Sequence, residues 1–253
     1  MSSGARKPVI PGGGSPLNRV LLKLSGEALA GTTGSAISAS VMQRLAAEIA
    51  TVVASGTQVA VVLGGGNFLR GAQLQQAGMN RVSADHMGML ATLMNAIAFR
   101  DVLLATGVGA RVLSALAVAG IAEQFNRGAA LRALSRGEVL LFGGGTGNPF
   151  FTTDTAASLR GIEIDADVVL KATKVDGIYS ADPEQQDDVV RFEKLSYDAV
   201  IQNDLKVMDI SAITLCRDHA MPLMVFDMSE PGALSRIAAG EQIGSLVTSH
   251  SEE

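Results

Sequence analysis

Three glycine-rich turns and a few cations mark where this sequence could do chemistry. Each turn follows a short apolar run: Leu22-Lys23-Leu24-Ser25-Gly26, Val62-Leu63-Gly64-Gly65-Gly66-Asn67, and Leu141-Phe142-Gly143-Gly144-Gly145-Thr146-Gly147-Asn148. Glycine lets backbone N–H groups approach an anion closely, and a helix starting directly afterwards adds the positive end of its dipole. One such turn could be an ordinary tight corner. Three after successive strands, each followed by polar or basic side chains, point to a phosphorylated ligand. Lys23 offers a point charge to phosphate oxygens, and Arg70, after the second turn, has the planar fork of a bidentate phosphate clamp. Lysine is scarce, six residues against fourteen arginines, and Lys23, Lys171 and Lys174 lie beside strand-like runs. Lys171 and Lys174 read equally well as solvated surface charges.

The familiar phosphate-binding fingerprints are missing. No Gly-Lys pair exists for a Walker loop, and the spacings Gly64-x-Gly66 and Gly145-x-Gly147 end on Leu69 and Phe150 where a dinucleotide loop needs glycine. The HRD motif of protein kinases is absent as well. The phosphate site belongs to another architecture.

The elements that must position these groups follow from the apolar pattern. Val20 to Leu24, Gln58 to Leu63, Arg111 to Leu113, Glu138 to Phe142, Asp167 to Leu170 and Pro222 to Phe226 read as strands, most of them apolar on both faces. Helical spacing covers 39 to 54, 85 to 105, 127 to 135, 154 to 161, 196 to 202, 209 to 219 and 232 to 239. The alternation predicts βαβ units and an α/β fold: an open, mainly parallel sheet sandwiched by helices. In such a sheet the carboxyl ends of the strands line the ligand crevice, so the three turns should converge there.

Composition bounds the rest. The 253 residues are 47% hydrophobic and 18% charged, which suits one globular domain over residues 19–253 after a flexible, Gly/Pro/Ser-rich tail at 1–18. A net charge of -5 argues against nucleic acid as a partner. One cysteine and three scattered histidines supply neither a disulfide nor a zinc cluster, and no metal ligand set is assigned. The most apolar stretch, Met87 to Ala105, is broken by Asn95, Arg100 and Asp101 and fails the criterion for a membrane span, so a soluble, cytoplasmic protein is expected.

The strings VLLKLSGEAL (Val20 to Leu29), GGGNFLRGA (Gly64 to Ala72), GMNRVSADHMGMLAT (Gly78 to Thr92), GTGNPFFTTDTAA (Gly145 to Ala157) and ADVVLKATKVDGIYSADP (Ala166 to Pro183) closely resemble bacterial uridylate kinases, within the amino acid kinase superfamily. The resemblance runs collinearly from about Arg19 to Val247. It implies an amino acid kinase-like fold with an acceptor lobe at about 19–165 and an ATP lobe at about 166–253. It implies a homohexamer that converts ATP and UMP to ADP and UDP with magnesium, in pyrimidine nucleotide biosynthesis. Position by position, Lys23, Leu24, Ser25, Gly26, Gly66 and Arg70 are similar to ATP phosphate contacts, and Thr173, Tyr179 and Asp182 to contacts with the ATP nucleoside. Gly65, Asp85 and the run Thr146, Gly147, Asn148, Pro149, Phe150, Phe151, Thr152 and Thr153 are similar to the UMP site. Gly31 to Ala36 falls where relatives carry a GTP effector segment, with Ser35 and Ala36 replacing its usual glycine and aromatic character; GTP and UTP are the effectors the resemblance brings with it.

If the acceptor is a nucleoside monophosphate, its oxygen is already ionised and needs no general base. Two anions must be brought together and their charge offset by cations and N–H groups. Lys23, Arg70 and Lys171 are the catalytic cations expected. Asp154 reads either as a helix cap or as the carboxylate orienting Lys23 or a magnesium-bound water, and Asp209 is ambiguous in the same way. Asp85 reads as a ribose-hydroxyl acceptor or as the cap of a helix beginning at His86. Two other activities share these features: phosphorylation of a carboxylate acceptor, against which the Thr and Asn content of Gly145 to Asp154 speaks, and pyrimidine nucleotide sensing without transfer, against which Lys23 and Arg70 speak.

Overall fold

The computed structural model describes residues 9–30, 35–69, 78–182, 185–186 and 188–249. Its strands are β1 (Arg19–Leu24), β2 (Gln58–Leu63), β3 (Ala110–Ser114), β4 (Glu123–Gln124), β5 (Val139–Gly143), β6 (Val168–Thr173), β7 (Ile178–Tyr179), β8 (Arg191–Phe192), β9 (Lys194–Ser196), β10 (Leu223–Asp227) and β11 (Ser245–Thr248). The helices are α1 (Ala39–Ala54), α2 (Arg81–Ala105), α3 (Arg127–Ser135), α4 (Thr153–Glu163), α5 (Tyr197–Gln202), α6 (Ile210–Asp218) and α7 (Ala233–Ala238), with a short 3-10 turn at Gly26–Leu29.

Nine strands form one sheet in the order β4-β3-β5-β2-β1-β6-β10-β11-β9, parallel throughout except where β11 runs antiparallel to β10. Because both faces are covered, alternate residues of one strand enter two different cores. Leu22, Val61, Leu141 and Leu170 face α1, α2 and α7, whereas Leu21, Val62, Leu140 and Val169 face α3, α4, α5 and α6. That explains strands read as continuous apolar runs. From β1 the chain builds outward to β4 on one side, then returns and builds from β6 to β9 on the other. The order therefore reverses between β1 and β6, and a crevice opens at the carboxyl ends of strands at such a switch point.

The mainly parallel, helix-covered sheet is the expected fold. Three local readings are corrected. The long helix begins at Arg81, capped by Asn80, whose side chain accepts the Val82 N–H (2.9 Å), so Asp85 lies inside the helix and caps nothing. By length and composition alone the same helix is apolar enough over an 18-residue window to cross a bilayer, because the window average absorbs Arg100 and Asp101. Its Leu93, Ala96, Phe99 and Leu103 are buried in the core against the sheet. Residues 9–18, assigned to a flexible tail, lie against the domain. Asp167 accepts the N–H groups of Val9, Asn18 and Arg19, Leu17 N–H donates to Ala238 O, and Leu17 is buried.

Candidate active site

Lys23 on β1 and Lys171 on β6 are direct register partners across the switch point. Registered residues of neighbouring parallel strands project from the same face, so two ammonium groups end side by side at the carboxyl rim, where they repel. Asp154 in the first turn of α4 resolves this. Its Oδ1 lies 2.6 Å from Lys23 Nζ and its Oδ2 2.9 Å from Lys171 Nζ. The three side chains are only 10%, 13% and 18% exposed for Lys23, Asp154 and Lys171. Burial alone would raise the Asp154 carboxyl, but the two ammonium groups override it and hold it below the usual carboxylate range. Lys171 moves down from the ordinary lysine value, driven by burial and then by the Lys23 charge, with Asp154 opposing. Lys171 also donates to Val207 O. Of the two roles open to Asp154, the geometry gives it the lysines. The cap of α4 is Thr152, whose Oγ1 accepts from the N–H of Asp154 (3.0 Å) and of Thr155 (3.4 Å).

Asp209 does cap the following helix, accepting the Ala212 N–H at 3.0 Å, and the same carboxylate accepts from Thr155 Oγ1 (3.0 Å) and from Thr152 Oγ1. It ties the start of α6 to the start of α4. Asp209 contributes to the Lys171 environment through its charge, yet among the described residues its hydrogen bonds go to Thr152, Thr155 and Ala212 and not to either lysine.

The three glycine turns meet as expected. Gly26 sits so close to the second turn that a Cβ there would lie 2.6 Å from Gly66 N and 2.9 Å from Gly64 O, a contact only glycine permits. The third turn bends through left-handed residues at Gly144 (φ 81°) and Gly147 (φ 82°), and Gly144 N–H donates to Thr92 Oγ1 at 2.8 Å. Between the second and third turns lies a cavity of about 290 Å³ lined by Gly65, Gly66, Asp85, Thr146, Asn148, Phe151, Thr152 and Thr153, among others. Asp85 accepts from Arg81 Nε (2.8 and 2.9 Å) and from the Phe150 N–H (2.7 Å), and the Arg81 guanidinium lies 5.6 Å from the Phe150 ring centroid. Phe150, exposed and itself left-handed at φ 72°, and Pro149 belong to the same turn although neither lines the cavity.

A second, larger cavity of about 430 Å³ lies on the other side of the lysine pair. Lys171, Thr173, Tyr179 and Asp182 line it together with Asn203, Leu205 and Val207. Tyr179 donates to Asp176 Oδ1 at 2.5 Å, and its hydroxyl is pushed up by that bond. Lys23, Leu24, Ser25 and Gly26 form the first turn at the rim between the cavities; Ser25 Oγ accepts the Ala28 N–H at 3.1 Å. Lys174 is exposed. Arg70 and residues 31–34 of the effector-like segment lie outside the described residues.

Sequence reasoning missed a cavity wall and a polar joint. The 203–207 wall of the larger cavity carries no motif. Thr92 and Asn95 on α2, and Asn67 in the second turn, form the polar joint that seats the turns: Asn95 donates to Gly64 O (2.7 Å) and pairs with the Asn67 amide. An asparagine at a core position of an apolar helix was a readable signal of that joint.

Residues 18–227 match the model of the amino acid kinase family. The chain is 57% identical over 230 residues to the uridylate kinase of Vibrio vulnificus, covering 91% of this chain and 95% of that protein. It is 56% identical over 229 residues to the uridylate kinase of Photorhabdus laumondii, covering 90% and 95%. Among solved structures, the UMP kinase from Bacillus anthracis superposes with a TM-score of 0.90 at 38% identity, covering 93% of this chain and 98% of that one.

Proposed function

Because the chain belongs to the amino acid kinase family, we propose that it transfers the γ-phosphoryl group of ATP to UMP, giving ADP and UDP. The observation that carries this reading is the Lys23–Asp154–Lys171 bridge, whose Lys171 lines the larger cavity while Thr152 and Thr153, next to Asp154, line the smaller one. The larger cavity, with Thr173, Tyr179 and Asp182, takes the ATP nucleoside. The smaller one, with Gly65, Asp85, Thr146, Asn148, Phe151, Thr152 and Thr153, takes UMP, Asp85 accepting from the ribose in place of Arg81.

The chemistry then follows from position and charge. The acceptor phosphate is already an anion, so these residues need not remove a proton. Lys23 and Lys171 stand where negative charge passes from the bridging oxygen of ATP toward the acceptor, and Asp154 holds both in reach without neutralising the pair. The first and second turns present N–H groups to the donor phosphates, and α4, capped by Thr152, points its positive end at the rim. Arg70 is assigned the phosphate clamp on sequence grounds.

Magnesium fits this site as part of the donor substrate. Among the described residues no cluster of three acidic or imidazole groups forms a metal cage. Asp154 and Asp209 are engaged by the lysines, hydroxyls and a helix N-terminus, so phosphate oxygens and water would supply the ion's ligands. Residues 19–165 serve as the acceptor lobe and 166–253 as the ATP lobe. A homohexamer is the proposed assembly on the family resemblance; the exposed Leu90, Met94 and Leu104 along α2 support association between copies and do not set their number. The cytoplasm and pyrimidine nucleotide biosynthesis are the proposed setting, in keeping with ATP and UMP as substrates, with GTP and UTP as the effectors to test.

The deciding assay couples ADP release to UMP, CMP, dUMP, AMP, glutamate and aspartate as acceptors. UMP should be turned over far faster than the others. Turnover confined to a carboxylate acceptor, or binding of UMP without turnover, overturns the reading.

A further inference from the structure

Asn95 occupies a position where the core of α2 would accept an apolar side chain. It is 0% exposed, with Ala91 and Phe99 one turn to either side, both equally buried. A buried amide persists only where it is bonded, and here the side chain bonds to Gly64 and Asn67, outside its own helix. Nδ2 donates to Gly64 O (2.7 Å) and to Asn67 Oδ1 (2.8 Å), and Oδ1 accepts from Asn67 Nδ2 (2.9 Å). Asn67 Nδ2 gives its other hydrogen to Ala36 O at 2.7 Å.

The pair of amides thereby locks three segments together: the end of β2, the second glycine turn, and the chain that follows the first turn. The first turn itself rests on the pair, since a Cβ on Gly26 would lie 2.5 Å from Asn67 Oδ1. One helical turn earlier, Thr92 Oγ1 takes the Gly144 N–H of the third turn (2.8 Å). Helix α2 thus acts as a ruler with two polar marks, one for each nucleotide.

We propose that Asn95, through its amide pair with Asn67, is a positioning residue for phosphoryl transfer, fixing the separation of the first two glycine turns so that donor phosphorus and acceptor oxygen come into line. This rests on the kinase reading above. In the step, the bond from the γ-phosphorus to the ADP oxygen breaks and its electron pair stays on that oxygen. The acceptor phosphate oxygen supplies the pair for the new bond, and Asn95 exchanges no proton. A misplacement on the order of 1 Å costs about 100-fold in such a step, while the two cavities, whose other walls are untouched, can still bind their nucleotides.

The test compares Asn95→Asp and Asn67→Ala with Phe99→Leu, an apolar core change on α2 one helical turn beyond Asn95. Expected is a fall in kcat of about 10- to 100-fold for the first two, KM for ATP and UMP within about 3-fold of wild type, and a double variant no worse than the poorer single one, as for residues acting as a unit. Phe99→Leu should lower Tm and leave kcat alone. An Asn95→Asp enzyme with wild-type kcat, or a loss of kcat shared equally by Phe99→Leu, overturns the proposal. If Asn95→Asp does not fold, Asn67→Ala, at a half-buried loop position, decides by the same criteria. A wild type inactive with UMP but active with another acceptor defeats the UMP reading alone, and Asn95 is then scored on that acceptor; inactivity with every acceptor defeats both.

Discussion

The carboxyl and amino ends of the same sheet each carry a network of cations and carboxylates, and the two are built to opposite ends. At the amino end Arg111 reaches Glu138 (2.9 Å) and Glu123 (2.7 Å), and Arg136 reaches Glu138 (2.6 Å), so two guanidinium groups face two carboxylates. At the carboxyl end two ammonium groups share the single carboxylate of Asp154. The acid is lowered in both places, against burial that would raise it: Glu138 by Arg111 and Arg136, Asp154 by Lys23 and Lys171. The cations differ. Arg111 is pushed up by the hydrogen bonds of its two carboxylates, whereas Lys171 is pulled down by burial and by Lys23. A lowered acid is therefore no mark of a functional site. A buried cation held in a surplus of positive charge is, because a phosphate can relieve it.

The sharpest way to break this contrast is to remove the surplus. Lys23→Ala should lower kcat by about 100- to 1000-fold, the usual loss on deleting one preorganised charge-stabilising group, while equilibrium binding of UMP changes far less. Steady-state kinetics beside calorimetric titration of UMP measures the split. Equal losses in turnover and affinity would make the rim a binding surface only.

Removing the shared acid tests the other half. Asp154→Asn leaves two largely buried ammonium groups without their partner. It should cost about 3 kcal/mol of stability, the scale of breaking a buried pair, and lower kcat because the lysines lose their anchor. The pH dependence has a definite sign. The folded-state pKa of Asp154 lies below its unfolded value of about 4, so its contribution is complete above that value and disappears as pH falls through the folded one. Urea unfolding of wild type and variant should differ by a constant amount from about pH 7 to pH 5, and the gap should close below about pH 4. A gap that closes as pH rises would contradict the assignment.

The rim was legible in sequence to the extent that chemistry is local. Lys23, the glycine turns and the 146–153 run announce themselves by residue type, and strands rich in Val and Leu put them at carboxyl ends. What no local pattern contains is register. Lys23 faces Lys171 because β1 pairs with β6 across most of the chain, so Asp154, readable as a cap, is committed to the lysines only once the sheet is assembled. Helices α1 and α3 were readable to the residue, since their apolar spacing is regular. The two-residue strands β4, β7 and β8 hold too few residues to show a period at all, and the antiparallel β11, only four residues long after the turn at Gly244, is too short to show one clearly. In the sequence Asn95 shows only as a break in an apolar stretch. Its meaning depends on Gly64 and Asn67, which the sequence places about thirty positions away.

The smallest effect belongs at the amino end. Arg136 is 55% exposed and Glu123 56%, so water screens these charges and each pair holds long side chains in one geometry at an entropic cost. Arg111→Ala should change stability by less than about 1 kcal/mol, with kcat and KM unaltered, and the small loss should shrink further as salt is raised through the range where exposed charges are screened. Unfolding at two salt concentrations, set beside turnover, measures all of this. A loss as large as that of Asp154→Asn, or any fall in kcat, would mean that the two ends of the sheet are coupled and that burial is the wrong criterion for telling a self-contained network from one that awaits a phosphate.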